Sequence, residues 1–358
     1  MSAEMSAEHS TGSDTGSAPP RSEPRRILAL LALTCALTLA LDRALALPLA
    51  WGVARSELRM SRLYAGRAGA DVLVLGNSRG VKLGEPSAAG AARRGGLTLF
   101  NLSYNGMSMG VAEVLLRDHL DRNPAPRVLM LEVTNLAMRD QLLKALTPYL
   151  GESPRLRAAL RAHAPAVERA ASLSHLFRYN QELAHRALYH LSRSDQPNAL
   201  AGAARPELIA RLREETAALR AGLAATARGP LRPSLNPLPA AGEGYEALLR
   251  LLRLCAARGI AARLVASPYL PAYAERLGAL PAWVGALRAA VEEAGAAEGW
   301  GEGVRLFDYS ALPLPDDHFI DPLHMNTRGI RALDERMAAD GVYALPARPA
   351  RAEEPAGG

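Results

Sequence analysis

The stretch Asp71-Val-Leu-Val-Leu-Gly-Asn-Ser-Arg-Gly80 is a short run of valine and leucine that ends abruptly in turn-forming residues. A run of this length and composition, closed by Gly76-Asn77, is typical of a buried parallel strand followed by a tight turn. In open α/β sheets the reactive groups lie just beyond the carboxyl ends of the strands. Ser78 occupies that position, so the sequence makes it a candidate nucleophile.

The chain on either side of this strand alternates strand-like and helix-like segments. Strand-helix-strand spacing of this kind predicts a parallel sheet, so we expect an α/β domain over residues 52–345. Asn326 or Thr327 is expected to cap the last helix. The further predicted strands cover 97–103, 127–133, 260–266 and 304–308, and the predicted helices cover 109–121, 242–258, 281–297 and a segment ending near 339.

Residues 136–235 depart from this alternation, because they are rich in Ala, Leu and Arg and contain no strand-like run. They predict a helical insertion that lies over the strand ends as a lid or a docking surface. The insertion contains four histidines, but His185 and His190 are five residues apart rather than the four that would place two ligands on one helix face. We therefore interpret its histidines as packing or surface residues.

The N-terminal region divides into a tail and an apolar segment. Residues 1–24 are low in complexity and are expected to be disordered, as is the C-terminal tail, 346–358. Residues 25–51 carry the apolar segment, which Asp42-Arg43 interrupts. The uncharged run, Ile27 to Leu41, is shorter than the roughly 20 residues that span a bilayer.

Three interpretations of residues 25–51 remain open. The first is a membrane anchor, with Trp51 at the interface. The second is a cleaved signal peptide, with Ala44-Leu45-Ala46 as the cleavage site. The third is a buried core helix. The first two place the domain outside the cytoplasm, either membrane-anchored or secreted.

Charge and cysteine content narrow the function classes. The net charge is +6, but the cations are almost all arginines on predicted helices, with Lys82 and Lys144 the only lysines. Solvated helix faces account for this charge, and the chain has no recognition-helix or RNA-binding motif, so we expect no nucleic-acid partner. The two cysteines, Cys35 and Cys255, have no histidine neighbour in sequence and are interpreted as inert packing residues.

A nucleophilic serine needs a base, and the base needs an acid that orients it. The segment Phe319-Ile-Asp321-Pro-Leu-His324-Met-Asn-Thr-Arg-Gly329 offers both at the far end of the chain. His318 is a rival base, although it precedes Asp321 and lacks the helix that follows His324. The sequence therefore predicts a triad of Ser78, His324 and Asp321.

These motifs resemble the SGNH (GDSL-type) hydrolase superfamily in kind and in order. Gly76-Asn-Ser78 follows the first strand, Gly106 the second and Asn135 the third, and Asp321-x-x-His324 precedes the last helix. The resemblance covers roughly 70–135 and 242–340. It is closest in character to a membrane-anchored branch similar to exopolysaccharide O-acetyltransferases and acyl-transfer accessory proteins. It implies a three-layer α/β/α, flavodoxin-like SGNH fold.

The resemblance also implies roles for the site residues. Ser78 is the nucleophile, and the oxyanion hole consists of the N–H groups of Ser78 and Gly106 and the amide of Asn135. Glycine at 106 lets the backbone approach an oxyanion closely. The family's Gly-x-Asn-Asp block is reduced here to Glu132-Val-Thr-Asn135, so Asn105 is an alternative third donor.

The implied activity is hydrolysis of an acyl ester, or acetyl transfer, on a cell-surface or exported glycan. The resemblance implies no metal and no organic cofactor. The alternative is a catalytically inactive module that binds a glycan or a membrane-bound acyltransferase through the insertion. A third hypothesis, a structural anchor protein, predicts no pocket at the strand ends.

Overall fold

The computed structural model describes residues 23–81, 83–84, 88–134, 145–179, 206–221, 242–277 and 280–345. Its centre is a five-stranded sheet in which every pairing is parallel and the strand order is β2-β1-β3-β4-β5. The predicted α/β domain with a parallel sheet is thereby confirmed. The strands are β1 (Val72–Leu75), β2 (Leu99–Asn101), β3 (Val128–Glu132), β4 (Ala261–Ala266) and β5 (Val304–Asp308).

The three central strands are buried along their whole length, whereas the two edge strands are only partly buried. Successive side chains of a strand point to opposite faces of the sheet. Leu73 and Leu75 therefore enter one apolar core, while Val72 and Val74 enter another on the opposite face. Burial on both faces explains why β1 is a continuous apolar run rather than an alternating one.

The helices cover both faces of the sheet. Leu115 and Leu251 lie on two helices of one face and belong to the core that contains Leu73, whereas Leu333 lies on a helix of the other face and belongs to the core that contains Val72. The α-helices whose two ends the structure describes are α1 (Glu23–Arg55), α2 (Arg59–Tyr64), α3 (Ala88–Arg93), α4 (Met109–Arg122), α5 (Pro154–His163), α6 (Pro165–Leu173), α7 (Pro206–Arg220), α8 (Glu243–Ala257), α9 (Pro271–Leu277), α10 (Leu280–Glu298) and α11 (Thr327–Ala339).

The N-terminal helix α1 runs without a break through Asp42-Arg43. It begins inside the segment expected to be disordered; residues 1–22 and 346–358 lie outside the described part of the chain. By length and composition, its stretch from Pro24 to Arg55 is able to cross a membrane, and no other helix of the described residues is. Its first half is exposed, but Ala46 and Val53 in the second half are buried against the domain.

Only part of the predicted insertion, residues 145–179 and 206–221, is described, and it consists of helices and turns. Helix α7 packs against α9, where Arg276 Nη1 lies 2.7 Å from Glu215 Oε2 and both side chains are almost fully buried. Thr216 Oγ1 donates to the Ala272 carbonyl at 3.3 Å. His185 and His190 lie outside the described residues.

Candidate active site

The turn that carries Ser78 begins directly after β1. The Asn77 side chain accepts a hydrogen bond from the Arg79 N–H at 2.8 Å, and the Gly80 N–H donates to the Asn77 carbonyl at 2.9 Å. Asparagine stabilises tight turns in this way because its short side chain mimics a backbone acceptor. The half-buried Ser78 is thereby held just beyond the carboxyl end of a central strand.

Two glycines let this turn lie directly against the neighbouring strand β3. A Cβ added at Gly76 would lie 2.6 Å from the Cβ of Glu132 in β3. One at Gly80 would lie 3.2 Å from the same Cβ and 2.8 Å from Ser103 Oγ in the loop after β2. Neither position has room for a larger residue without movement of its neighbours. The glycines beside Ser78 are therefore required by packing.

We expect Gly76→Ala to lower the free energy of unfolding by about 1–3 kcal/mol, because the new methyl group meets a Cβ that cannot rotate away. Chemical denaturation of the purified chain measures this change. Gly285→Ala is the matched control, since Gly285 lies within α10 and a Cβ there meets nothing within 4 Å. The control is expected to gain about 0.5–1 kcal/mol. Equal stability of the two variants would contradict the packing argument.

The structure brings Ser78, His324 and Asp321 together across 246 residues of sequence. Ser78 Oγ lies 2.8 Å from His324 Nε2. His324 Nδ1 lies 2.9 and 3.0 Å from the two carboxylate oxygens of Asp321. A carboxylate at Nδ1 favours the tautomer in which Nδ1 carries the proton, so that Nε2 is free to accept the serine proton.

The loop that carries Asp321 and His324 is itself ordered by hydrogen bonds. The backbone N–H groups of Leu323 and His324 both donate to Asp321 Oδ1, at 2.8 and 2.9 Å. Immediately after the loop, Asn326 caps α11, and its side chain accepts from the N–H groups of Arg328 and Gly329. Of the two predicted caps, Asn326 and Thr327, the cap is therefore Asn326. It fixes the loop to the start of α11.

Burial raises the pKa of Asp321, but hydrogen bonds from the His324 ring and from two backbone N–H groups outweigh it, so the pKa lies below its usual range. The carboxylate is therefore ionised at neutral pH and can stabilise a histidinium. The rival base, His318, instead places its Nδ1 3.0 Å from Asp317 Oδ1.

The predicted oxyanion donors are described only in part. Gly106 has φ +75°, in a turn closed by a hydrogen bond from the Met107 N–H to the Tyr104 carbonyl, and glycine is favoured there. The turn lies beside the Ser78 loop because the Tyr104 N–H donates to the Gly76 carbonyl at 3.0 Å. Asn135 lies outside the described residues, and the alternative donor Asn105 is exposed.

Arg79, the residue after Ser78, is buried, and its Nη2 donates to the carbonyls of Ser267 and Pro268 at 2.5 and 2.7 Å. Its guanidinium carbon lies 3.6 Å from the centre of the Tyr269 ring. The same segment reaches the histidine loop, because the Leu270 N–H donates to the Pro322 carbonyl at 3.1 Å. Arg79 therefore connects the two loops that carry the triad.

Glu132, at the end of β3, is fully buried next to this arginine. Burial raises the pKa of its carboxyl group, and the positive charge of Arg79 and a hydrogen bond from Thr134 oppose the rise. A second polar support is Asn101, whose Nδ2 donates to the carbonyls of Gly80 and Val81 at 2.8 and 3.1 Å. Arg79, Glu132 and Asn101 lie within the predicted strands and turns, but no sequence pattern assigned them a role.

No protein-family model matches this chain, and no curated protein sequence matches it. The site is defined by its own geometry: a serine, a histidine and an aspartate in hydrogen-bonded sequence at the carboxyl edge of a parallel sheet. This arrangement can activate a hydroxyl group for attack on an electrophilic carbon.

Proposed function

We propose that the protein is a serine acyl-ester hydrolase or O-acyltransferase of the SGNH type. The observation that carries the proposal is the continuous hydrogen-bonded path from Ser78 Oγ through His324 to the Asp321 carboxylate. An inactive binding module has no need for an aligned and ionised acid behind the histidine. The strand order 2-1-3-4-5 is that of flavodoxin-like sheets and supports the SGNH fold, with the site at the strand ends.

The proposed reaction has two halves. The Ser78 oxygen attacks the acyl carbonyl while its proton passes to His324 Nε2, and the oxyanion is held by the N–H groups of Ser78 and Gly106. The intermediate collapses, His324 returns the proton to the leaving oxygen, and the acyl group remains on Ser78. Water (hydrolysis) or a sugar hydroxyl (transfer) then attacks the acyl-enzyme, again through His324.

We propose that α1 is a membrane anchor rather than a cleaved signal peptide. Cleavage after Ala46 would remove a side chain that is packed against the domain and is only 1% exposed. It would also remove Asp42, which accepts hydrogen bonds from the backbone of the insertion. The anchored domain then lies outside the cytoplasm. A glycan that is exported past the membrane is the proposed acceptor, and a membrane-bound acyltransferase is the proposed source of acyl groups.

The end of α1 lies beside the candidate site. Arg59, four residues after α1 ends, donates to the carbonyls of Ser103 and Val81, both in loops at the carboxyl edge of the sheet. The end of α1 lies about 20 Å along the helix axis from Asp42, at about 1.5 Å per residue. The candidate site therefore lies near the end of the anchor helix.

The direct test is labelling of the full detergent-solubilised chain with a fluorophosphonate, followed by peptide mapping. The proposal predicts one modified serine, Ser78. The chain is then incubated with an O-acetylated oligosaccharide as donor, with and without an unmodified oligosaccharide as acceptor. Release of free acetate indicates hydrolysis, and acetylation of the acceptor indicates transfer. A folded chain whose Ser78 stays unlabelled would count against the triad and favour the binding-module hypothesis.

We expect Arg79→Met to lower the free energy of unfolding by about 3 kcal/mol, because it breaks a buried network and leaves Glu132 without its cation. Loss of this connection between loops should also slow fluorophosphonate labelling of Ser78 by about tenfold to a hundredfold. Arg79→Lys should recover little, since an ammonium group cannot donate to two carbonyls and stack on a ring with the same geometry.

Tyr269→Phe is the control for Arg79, because it keeps the ring under the guanidinium and removes only the hydroxyl group. Its labelling rate should match that of the unmodified chain. Denaturation curves recorded beside the labelling rates separate a positioning effect from loss of fold. Normal labelling in a folded Arg79→Met variant would show that the connection does not position Ser78.

A further inference from the structure

Asp42 interrupts the apolar part of α1 in sequence, and the structure shows what it binds. Its carboxylate accepts hydrogen bonds from Ser174 Oγ at 2.6 Å, from the His175 N–H at 2.7 Å and from the Leu176 N–H at 3.1 Å. These groups lie at the start of a helical stretch that is described over 175–179, so Asp42 acts as a cap supplied by a different helix. The connection fixes residues 173–177 to the side of α1.

The same five residues carry an unusual share of exposed apolar surface. Leu173 is 67% exposed and Phe177 is 38% exposed. Among the described residues, Leu323 beside the candidate site is the only other large hydrophobic side chain outside α1 with comparable exposure. Soluble surfaces carry scattered apolar residues, but here both lie on a segment that is hydrogen-bonded to the apolar helix.

We propose that residues 173–177 are a second membrane contact, in which Leu173 and Phe177 enter the interfacial layer of the bilayer that α1 crosses. The proposal rests on the anchoring of α1 proposed above. It commits to lipid as the occupant because the exposed apolar surface of the segment continues that of α1, which is exposed from Ile27 to Leu41.

Charge at the edges of this surface fits an anionic lipid headgroup layer. The Arg43 side chain, next to Asp42, is 46% exposed. Arg169 is exposed on α6 four residues before Leu173, and residues four apart share one helix face. Arginines that flank exposed apolar side chains place their cations at the headgroups while the apolar groups go deeper.

Two membrane contacts restrict the rotation of the domain more than a single contact does. A single helix lets a domain rotate about the helix axis, whereas a second contact beside it selects one face toward the bilayer. The proposed contact therefore gives the candidate site one fixed orientation relative to the membrane surface. A substrate that extends from that surface then meets the site in a single orientation.

Fluorescence quenching in vesicles tests the proposal with the full chain. The detergent-solubilised chain is labelled with a maleimide fluorophore at one cysteine and is then reconstituted into phosphatidylethanolamine–phosphatidylglycerol vesicles. Native Cys35 reports on the α1 span. Phe177→Cys in a Cys35→Ala background reports on residues 173–177. Ala339→Cys in the same background is the control, because Ala339 is exposed at the end of α11, on the opposite face of the sheet. Burial raises the pKa of Cys255 to about 12, which keeps it unlabelled.

We expect lipids that carry a shallow nitroxide to quench most of the fluorescence of the Phe177→Cys label and little of the fluorescence of the Ala339→Cys label. We expect lipids that carry a deep nitroxide to quench the label on Cys35. Equal, weak quenching in the two variants with strong quenching at Cys35 would overturn the second contact and leave the anchor intact. Absence of quenching at Cys35 would overturn the anchor and the second contact together. Phe177 is partly exposed, so its replacement is compatible with the fold, which circular dichroism checks.

Discussion

Ser78→Ala is expected to abolish fluorophosphonate labelling and to lower turnover of an acetyl ester by about 10⁶-fold, because no covalent acyl intermediate can form. His324→Ala should cost a similar factor, since the Ser78 hydroxyl group then lacks the base 2.8 Å from its oxygen. Combining the two changes should cost little more than either alone, because residues that act as a unit are not additive. Initial rates with the purified full chain measure all three variants.

Ser310→Ala is the matched control for Ser78→Ala. Ser310 also follows a strand, β5, but its hydroxyl group donates to the Asp308 carboxylate at 2.6 Å instead of contacting a histidine. Its replacement should leave turnover and labelling unchanged. If Ser78→Ala and Ser310→Ala reduced turnover equally while both remained folded, Ser78 would not be the nucleophile.

Asp321→Asn is expected to lower turnover by about 10³–10⁴-fold while Ser78 and His324 stay in place. The amide keeps the shape of the carboxylate but cannot stabilise a histidinium, and its NH₂ group facing Nδ1 favours the tautomer that protonates Nε2. The rate of acetyl-ester hydrolysis measures the loss. Asp317→Asn, beside the rival His318, is the matched control and should retain turnover. A loss only in the control would make His318 the base.

The same substitution has a pH signature in stability. Because the folded-state pKa of Asp321 lies below its usual value, the native state binds fewer protons than the unfolded chain between the two pKa values. The contribution of the carboxylate to the free energy of unfolding is therefore complete above about pH 5 and is lost as the pH falls below about 4. The difference in stability between the unmodified chain and Asp321→Asn should shrink over that window. A difference independent of pH would mean that the carboxylate is not stabilised in its ionised form.

The sequence alone determined the sheet and the residues that meet at its edge. Five strand-like runs were identified from their apolar composition, and each differs from the observed strand by at most two residues at an end. Ser78, Asp321 and His324 were identified because their chemistry requires those residue types and because parallel strands end at a common edge. Local pattern carries this information, since strand burial and turn chemistry are properties of neighbouring residues.

Other features were decided only by tertiary contacts between distant segments. Arg79 and Glu132 look like ordinary charged residues in sequence, and only burial beside each other gives them a structural role. Asp42 looks like an interruption of an apolar helix, because its partners lie about 130 residues later. The partners of a buried charge, or of a cap from another helix, are backbone groups that are far away in sequence and close in space. No local sequence pattern specifies which groups these are.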